Sequence, residues 1–293
     1  MKGTRRHPDW LKVPLPGGEQ YADIKRQLRQ SKLHTICEEA RCPNLAECFG
    51  RGTATFLILG DICTRNCRYC HVKHGVPLPV DAMEAEHVAE SVKSLGLTYV
   101  VITSVTRDDL SDGGATVFNE TIRSIRNIAP SCKIEVLIPD FKGDSLALNV
   151  VLDAGPDVLN HNIEVVERLF PILRPQGEYL RSLSILKGSK ELHGRIPTKS
   201  GFMIGLGESM DEILMLLDDL RRAHVDMLTI GQYLQPSSTH AEIQKYYTPN
   251  EFEELKTIAL QKGFSHVESG PLVRSSYHAE ESMKSIKLGT MDL

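Results

Sequence analysis

The chain predicts an α/β fold, a partial (β/α)6 barrel of TIM-like type, and three observations carry that expectation. From residue 53 onward short apolar runs alternate with longer amphipathic ones, the alternation repeats six times, and polar and glycine-rich residues gather where each short run ends. The expected strands are 53–59, 99–103, 134–138, 158–161, 200–205 and 227–231. The spacing predicts helices over 85–95, 116–128, 145–154, 179–193 and 210–222, with 251–262 after the sixth strand. Strands joined by helices run parallel, so a parallel sheet with helices outside is expected, and an incomplete barrel is its economical closure. At 293 residues and 41% hydrophobic content, the chain can bury one such core or two ordinary ones.

Ahead of the barrel lies an extended stretch from His7 to Val13, broken by Pro14 and Pro16, and then a charged helix over 21–33. Trp10, the sole Trp, is expected to anchor this extension by packing. Lys2, Arg5, Arg6, Lys12, Lys25, Arg26, Arg29 and Lys32 make the start basic, which suits a solvated face or a docking surface for an acidic protein. The net charge of −4 excludes a global basic surface for nucleic acid. No apolar run reaches membrane-spanning length and no signal peptide is evident, so a soluble, cytoplasmic chain is expected. Seven cysteines, six of them between positions 37 and 70, are an odd count for a disulfide framework and fit a reduced compartment with metal-binding thiols.

The first expected strand runs into Asp61-Ile-Cys63-Thr-Arg-Asn-Cys67-Arg-Tyr69-Cys70-His71, with three thiols spaced C-x3-C-x2-C. Three thiolates on a four-iron four-sulfur cluster leave one iron open to a small molecule. Zinc is the alternative, but a structural zinc site closes with four ligands, and here the fourth would have to be His71 or His74. A second triplet, Cys37, Cys42 and Cys48, has C-x4-C-x5-C spacing. Six thiolates exceed the four that one cubane accepts, so two clusters explain the count better.

Polar residues at the expected strand ends are Ser104 to Asp109, Pro139-Asp140, Asn160-His161-Asn162 with Glu164, Gly205-Leu-Gly207-Glu208 and Gln232 to Pro236. In a parallel barrel that rim binds ligands. Gly201, Gly205 and Gly207 do not make a dinucleotide fingerprint, and no phosphate-loop motif is present, which excludes NAD and ATP as main cofactors. His224, His266 and Cys132 stand apart and are expected in core or surface roles. Gly270-Pro271 to His278 reads as a polar loop.

The triplet Cys63, Cys67, Cys70 with Tyr69 before its last member resembles the signature of the radical S-adenosylmethionine (radical SAM) superfamily. Trp10 to Val13, Cys37 to Cys48, Gly60 to Cys63, Thr103 to Leu110, Glu135 to Asp140, Asn160 to Glu164, Pro197 to Ser200, Gly231 to Pro236 and Arg274-Ser-Ser-Tyr277 together resemble the lipoyl synthase family over nearly the whole chain. Phe49 in place of Trp, Tyr69 in place of a frequent Phe, and Gln176-Gly177 are the departures.

The resemblance implies sulfur insertion at C6 and C8 of a protein-bound octanoyl-lysine, by a sulfurtransferase of lipoate biosynthesis. It implies one cluster on Cys63, Cys67 and Cys70 with S-adenosylmethionine on its open iron, and an auxiliary 4Fe-4S cluster on Cys37, Cys42, Cys48 and Ser276 as sulfur donor. Tyr69, Asn160, Asn162 and Glu208 are then expected to contact the cofactor, with Arg174 and Lys199 as further polar contacts and Arg107 and Asp108 near the substrate entrance. Residues 1–52 would form an extension carrying the auxiliary cysteines, 53–265 the barrel, and 266–293 a segment bringing the serine ligand, both ends covering the barrel mouth. The implied partners are an octanoylated lipoyl domain or glycine-cleavage H protein, an electron donor such as ferredoxin or flavodoxin, and an iron–sulfur carrier that rebuilds the consumed cluster. A biotin synthase-like enzyme is the neighbouring alternative, but its auxiliary ligands would come from inside the barrel rather than from an N-terminal triplet.

Overall fold

The computed structural model of the protein describes residues 7–13, 17–31, 33–50 and 55–281. Lys2, Arg5, Arg6, Pro14, Pro16 and Lys32 lie outside them, as do the first residues of the expected strand 53–59 and the last twelve of the C-terminal segment.

The extension contributes helix α1 (Glu19–Gln30), a two-residue strand β1 (His34–Thr35) and the short helices α2 (Ile36–Glu39) and α3 (Leu45–Gly50). The barrel then starts with β2 (Thr55–Ile58), followed by a small ribbon of β3 (Ile62–Cys63) and β4 (Lys73–His74). Five strand-bearing units succeed it: α4 (Glu84–Ser94) with β5 (Tyr99–Ser104), α5 (Ala115–Ile128) with β6 (Lys133–Leu137), α6 (Ser145–Asp153) with β7 (Val158–Asn160), α7 (Phe170–Leu173) and α8 (Tyr179–Leu192) with β8 (Thr198–Ile204), and α9 (Met210–Arg222) with β9 (Met227–Gln232). Helix α10 (Pro249–Gln261) leads to a last strand, β10 (His266–Gly270).

Strand order in the main sheet is β1-β2-β5-β6-β7-β8-β9-β10, with every neighbour parallel except the β1–β2 pair. The six expected strands are all present, and one more lies beyond each edge. β10 continues the sheet past residue 265 by pairing His266 to Gly270 with Met227 to Gly231. It escapes a search for apolar runs because Val267 is its one fully buried residue. Among the described residues β1 and β10 do not pair, so the barrel is open.

Alternation along the strands sorts the side chains into two layers. Val100 and Ile102 of β5 point outward into a core shared with Val88, Phe118, Ile122 and Val151 of the surrounding helices. Tyr99 and Val101 point inward, where Ala279 of the C-terminal segment packs on them. Helix starts are set by local chemistry: Ser209 with Glu212 and Thr248 with Glu251 form capping boxes, and Asp144 caps α6. Trp10 is 40% exposed, so it does not act as a buried anchor. Among the described residues no helix is long and apolar enough to cross a membrane.

Candidate active site

A cavity of about 480 Å³ opens at the C-terminal ends of the strands and draws its walls from almost every part of the chain. Cys63, Cys67 and Cys70 line it from one side, and Cys37, Cys42, Arg274, Ser275 and Ser276 from another. The lining also includes apolar groups, among them Leu57, Val72, Val105, Leu137, Ile138 and Leu234. A greasy chamber with thiols at two places is of the size that encloses a small organic ligand.

The loop from 61 to 74 is tied to the barrel at many points. Cys63 sits in β3 and its carbonyl accepts from Gly75 N at 3.0 Å. Thr64 donates through both N–H and hydroxyl to the Thr106 carbonyl, and Arg68 N donates to Leu173 O at 2.8 Å. Arg65, between the first two cysteines, is the strongest anchor. Its guanidinium is 2% exposed and donates to Asp108 at 2.7 and 2.9 Å and to Asp140 at 2.7 and 2.8 Å. Burial alone would raise the Asp140 carboxyl, but the hydrogen bonds and charge of Arg65 outweigh it and hold it well below the usual carboxylate range. His240 Nε2 meets the Cys70 carbonyl at 3.0 Å, and its ring stacks on His71.

The second thiol set is built by both ends of the described chain. Thr35 caps α2, which carries Cys37, and the Cys42 N–H donates back to the Cys37 carbonyl at 3.0 Å. Cys48 lies on α3, outside the cavity lining but close enough to Cys37 to act on it electrostatically. The segment after β10 folds over this corner: Asn44 Nδ2 donates to Leu272 O at 2.7 Å, Thr55 Oγ1 to Ser276 Oγ at 2.9 Å, and the Tyr277 hydroxyl to Glu47. Gly231 permits the approach, since a Cβ there would lie 2.3 Å from Val273 O.

The donor set suits metal. Burial pushes the Cys37 and Cys70 thiols up to about 12 and raises Cys42 and Cys67, so these groups keep their protons unless a cation replaces them. Thiolates on one zinc ion, each about 2.3 Å from it, can be no more than roughly 4.6 Å apart. Among the described residues the one trio of His, Cys, Asp or Glu that converges within 4.8 Å is His34, Glu39 and Asp61, where Lys73 already donates to Asp61 at 2.6 Å. Each cysteine triplet is therefore spread more widely than one zinc ion requires, which fits a cluster of several irons.

Beside Cys67, the wall carries Tyr69, His161, Asn162, Glu164 and Arg174. Burial raises the Cys67 thiol against the Arg174 charge and the nearby Tyr69 hydroxyl, which lower it, and Arg174 Nη1 donates to the Asn162 carbonyl at 3.2 Å. Burial raises the Glu164 carboxyl against the pull of Arg174 and a hydrogen bond from Asn162. His161 donates from Nδ1 to Ile138 O at 2.8 Å, and burial with the Arg174 charge lowers it to about 4, so the ring is neutral. Among the described residues His161 Nε2 and Asn162 Oδ1 are buried and have no hydrogen-bond partner, two acceptors at the wall open to a donor.

Of the expected cofactor contacts, Tyr69, Asn162 and Arg174 line the cavity, whereas Asn160, Lys199 and Glu208 do not. Asn160 and Lys199 point into the barrel beneath it, donating to Glu135 at 2.9 and 3.1 Å, and Tyr99 joins them at 2.7 Å. Glu208 folds back on its own loop, accepting from Gly205 N, Leu206 N and the Tyr247 hydroxyl. Asp108 is held by Arg65, and Arg107 by Asp109 and the Leu59 carbonyl, so Arg107 stays out of the lining. Arg65 was missed from sequence, although its place between Cys63 and Cys67 was a usable signal, and so was Thr55, for which no signal existed.

A family model for the radical SAM superfamily matches residues 57–220, and one for the N-terminal domain of lipoyl synthase matches residues 1–42. A lipoyl synthase from Shouchella clausii is 58% identical over 279 residues, covering 95% of this chain and 90% of its own. The chain belongs to the lipoyl synthase family. One from Rubrobacter xylanophilus is 54% identical over 290 residues, covering 99% of this chain and 90% of its own. Among solved structures, methylornithine synthase (TM-score 0.54, 15% identical, 86% of this chain and 83% of its own) and the hydrogenase maturase HydG (TM-score 0.57, 12% identical, 91% and 68%) share the fold alone. The chain is accordingly a radical SAM enzyme, and the open parallel barrel is that of its superfamily.

Proposed function

We propose that the chain inserts two sulfur atoms, at C6 and C8, into an octanoyl group carried on a protein lysine. The observation that carries this reading is the single cavity lined at once by Cys63, Cys67 and Cys70 and by Cys37, Cys42 and Ser276. Unactivated C–H bonds offer no proton that a side-chain base could take, so the chemistry must come from a cofactor. Cys63, Cys67 and Cys70 would hold a four-iron cluster which, with S-adenosylmethionine, would supply hydrogen abstraction by a radical.

The chain's own residues do the holding. Arg65 locks the cysteine loop against two strand ends. Tyr69, Asn162 and Arg174 line the cavity and would hold the cofactor, Asn162 Oδ1 as an acceptor and Arg174 as a cation for its carboxylate. The apolar wall of Leu57, Val72, Val105, Leu137 and Leu234 takes the acyl chain and keeps water from the reacting carbons. Sulfur is a substrate here, delivered as sulfide of the auxiliary cluster held by Cys37, Cys42, Cys48 and Ser276. Bringing that sulfide into the same chamber as the acyl carbons replaces an activated donor by proximity.

In this reading residues 1–52 and 266–293 cover a barrel of 53–265, and the enzyme is cytoplasmic. It works on an octanoylated lipoyl domain or glycine-cleavage H protein, with a ferredoxin or flavodoxin as reductant and an iron–sulfur carrier to restore the consumed cluster. The test is mass spectrometry of an octanoylated lipoyl domain after anaerobic incubation with reconstituted protein, S-adenosylmethionine and a strong reductant. One lysine should gain two sulfurs, as the dithiol under the reductant and with two hydrogens fewer once the two thiols are oxidised to a ring disulfide; an unchanged mass, with S-adenosylmethionine consumed, would refute it.

A further inference from the structure

Thr55 stands at the start of β2 with its side chain turned into the barrel, 4% exposed. Its hydroxyl donates to Ser276 Oγ at 2.9 Å, across 221 positions of sequence. Cys37 stands on α2 just after Thr35, which pairs with Phe56, the neighbour of Thr55 in β2, so the thiol and Thr55 share this corner. One side chain thus stands between a thiol from the front of the chain and a hydroxyl from its end. β2 is hydrogen-bonded to β1 on one side and β5 on the other, so the position of Thr55 is fixed by the sheet. Ser276 has no such support, because it lies after β10 in a segment of turns. A serine side chain has three staggered wells, and a donor on a rigid strand selects one of them.

We infer that Thr55 is a positioning residue for Ser276, fixing the serine oxygen beside Cys37 as the fourth ligand of the auxiliary cluster and keeping it partnered when it is off the iron. This rests on the reading of Ser276 given above. A hydroxyl is a weak ligand beside thiolates, so its occupancy of iron depends on how much of the time it faces the right way. Ser276 is half-buried, so an oxygen released from iron without a partner loses part of its hydration, and the Thr55 donor offsets that cost. The arrangement lets Ser276 leave and return without rebuilding the corner around it.

The test uses the full-length chain with Cys63, Cys67 and Cys70 replaced by alanine, reconstituted with iron and sulfide so that only the auxiliary cluster is present. Iron release to a chelator is followed by absorbance for the parent and for Ser276→Ala, Thr55→Val and Thr55→Ser, with Mössbauer spectra of each and thermal midpoints as a folding control. Ser276→Ala should release iron fastest. Thr55→Val, which keeps the shape and removes the hydroxyl, should release it roughly three- to fivefold faster than the parent, the effect of losing one selected rotamer of three and one neutral hydrogen bond. Thr55→Ser should stay near the parent, and the parent's spectrum should show a distinct oxygen-ligated iron that blurs in Thr55→Val. Parent-like release from Thr55→Val with fast release from Ser276→Ala overturns the inference, as do equal rates from Thr55→Val and Thr55→Ser. Unchanged release from Ser276→Ala overturns the ligand assignment itself.

Discussion

Replacing Asp140 by Asn should cost about 3 kcal/mol of folding stability, because the carboxylate is fully buried and receives two short hydrogen bonds from a buried guanidinium. Charged hydrogen bonds contribute about 1.5–3 kcal/mol each, and the neutral amide recovers roughly one ordinary bond of about 1 kcal/mol. Asp108 still holds Arg65 at 2.7 and 2.9 Å, which keeps the loss at the low end of the roughly 3–5 kcal/mol typical of a broken buried pair. Asp108→Asn, at a side chain 24% exposed, should cost only about 1 kcal/mol, since water can take its place. The assay is urea denaturation of the metal-free, reduced chain. Because the folded Asp140 carboxyl is held down by Arg65, its contribution is complete above the unfolded carboxyl value of about 3.9 and fades as pH falls below it. The gap between wild type and Asp140→Asn should therefore be flat near neutrality and narrow below about pH 4. A loss under about 1 kcal/mol, or one no larger than that of Asp108→Asn, would refute the idea that Arg65 clamps the loop through Asp140.

Alanine at Cys37, Cys42 and Cys48 together should halve bound iron, from about eight to about four per chain, while S-adenosylmethionine cleavage survives and sulfur insertion is lost; iron assay with product mass decides it. Ser276→Cys should hold the auxiliary cluster more tightly and form less product, and undiminished product formation would count against release of this ligand. Gly231→Ala would put a Cβ 2.3 Å from Val273 O, so the segment carrying Ser276 must shift. Auxiliary iron should fall while iron on Cys63, Cys67 and Cys70 remains, as read by spectroscopy of the separate clusters.

Periodicity located the barrel helices to within a residue or two: 210–222 matches α9 outright, and 116–128 differs from α5 by one residue. It could not see β1 or β10, since a two-residue strand and one with a single fully buried residue leave no pattern to read. The two thiol sets were legible from spacing, and their meeting in one cavity was not, because it depends on contacts such as Asn44 with Leu272 that join distant sequence. Asn160 and Lys199 show a different gap. Both sit in strands whose ends reach the rim, but a one-residue change in facing decides between rim and interior, and both lie on the inward, lower layer around Glu135. Glu208 carries a charge that looks available for a ligand, yet the turn it closes consumes both oxygens.

The corner around Cys37 is walled by residues from 272 to 277, whereas Cys63, Cys67 and Cys70 sit in one short loop anchored by strands that follow soon after. A chain emerging from the ribosome can thus shape the inner thiol loop early, but the outer corner closes only when residues 272 to 277 arrive. A product that stops at residue 273 would carry all seven cysteines and still leave Thr55 facing empty space where Ser276 belongs.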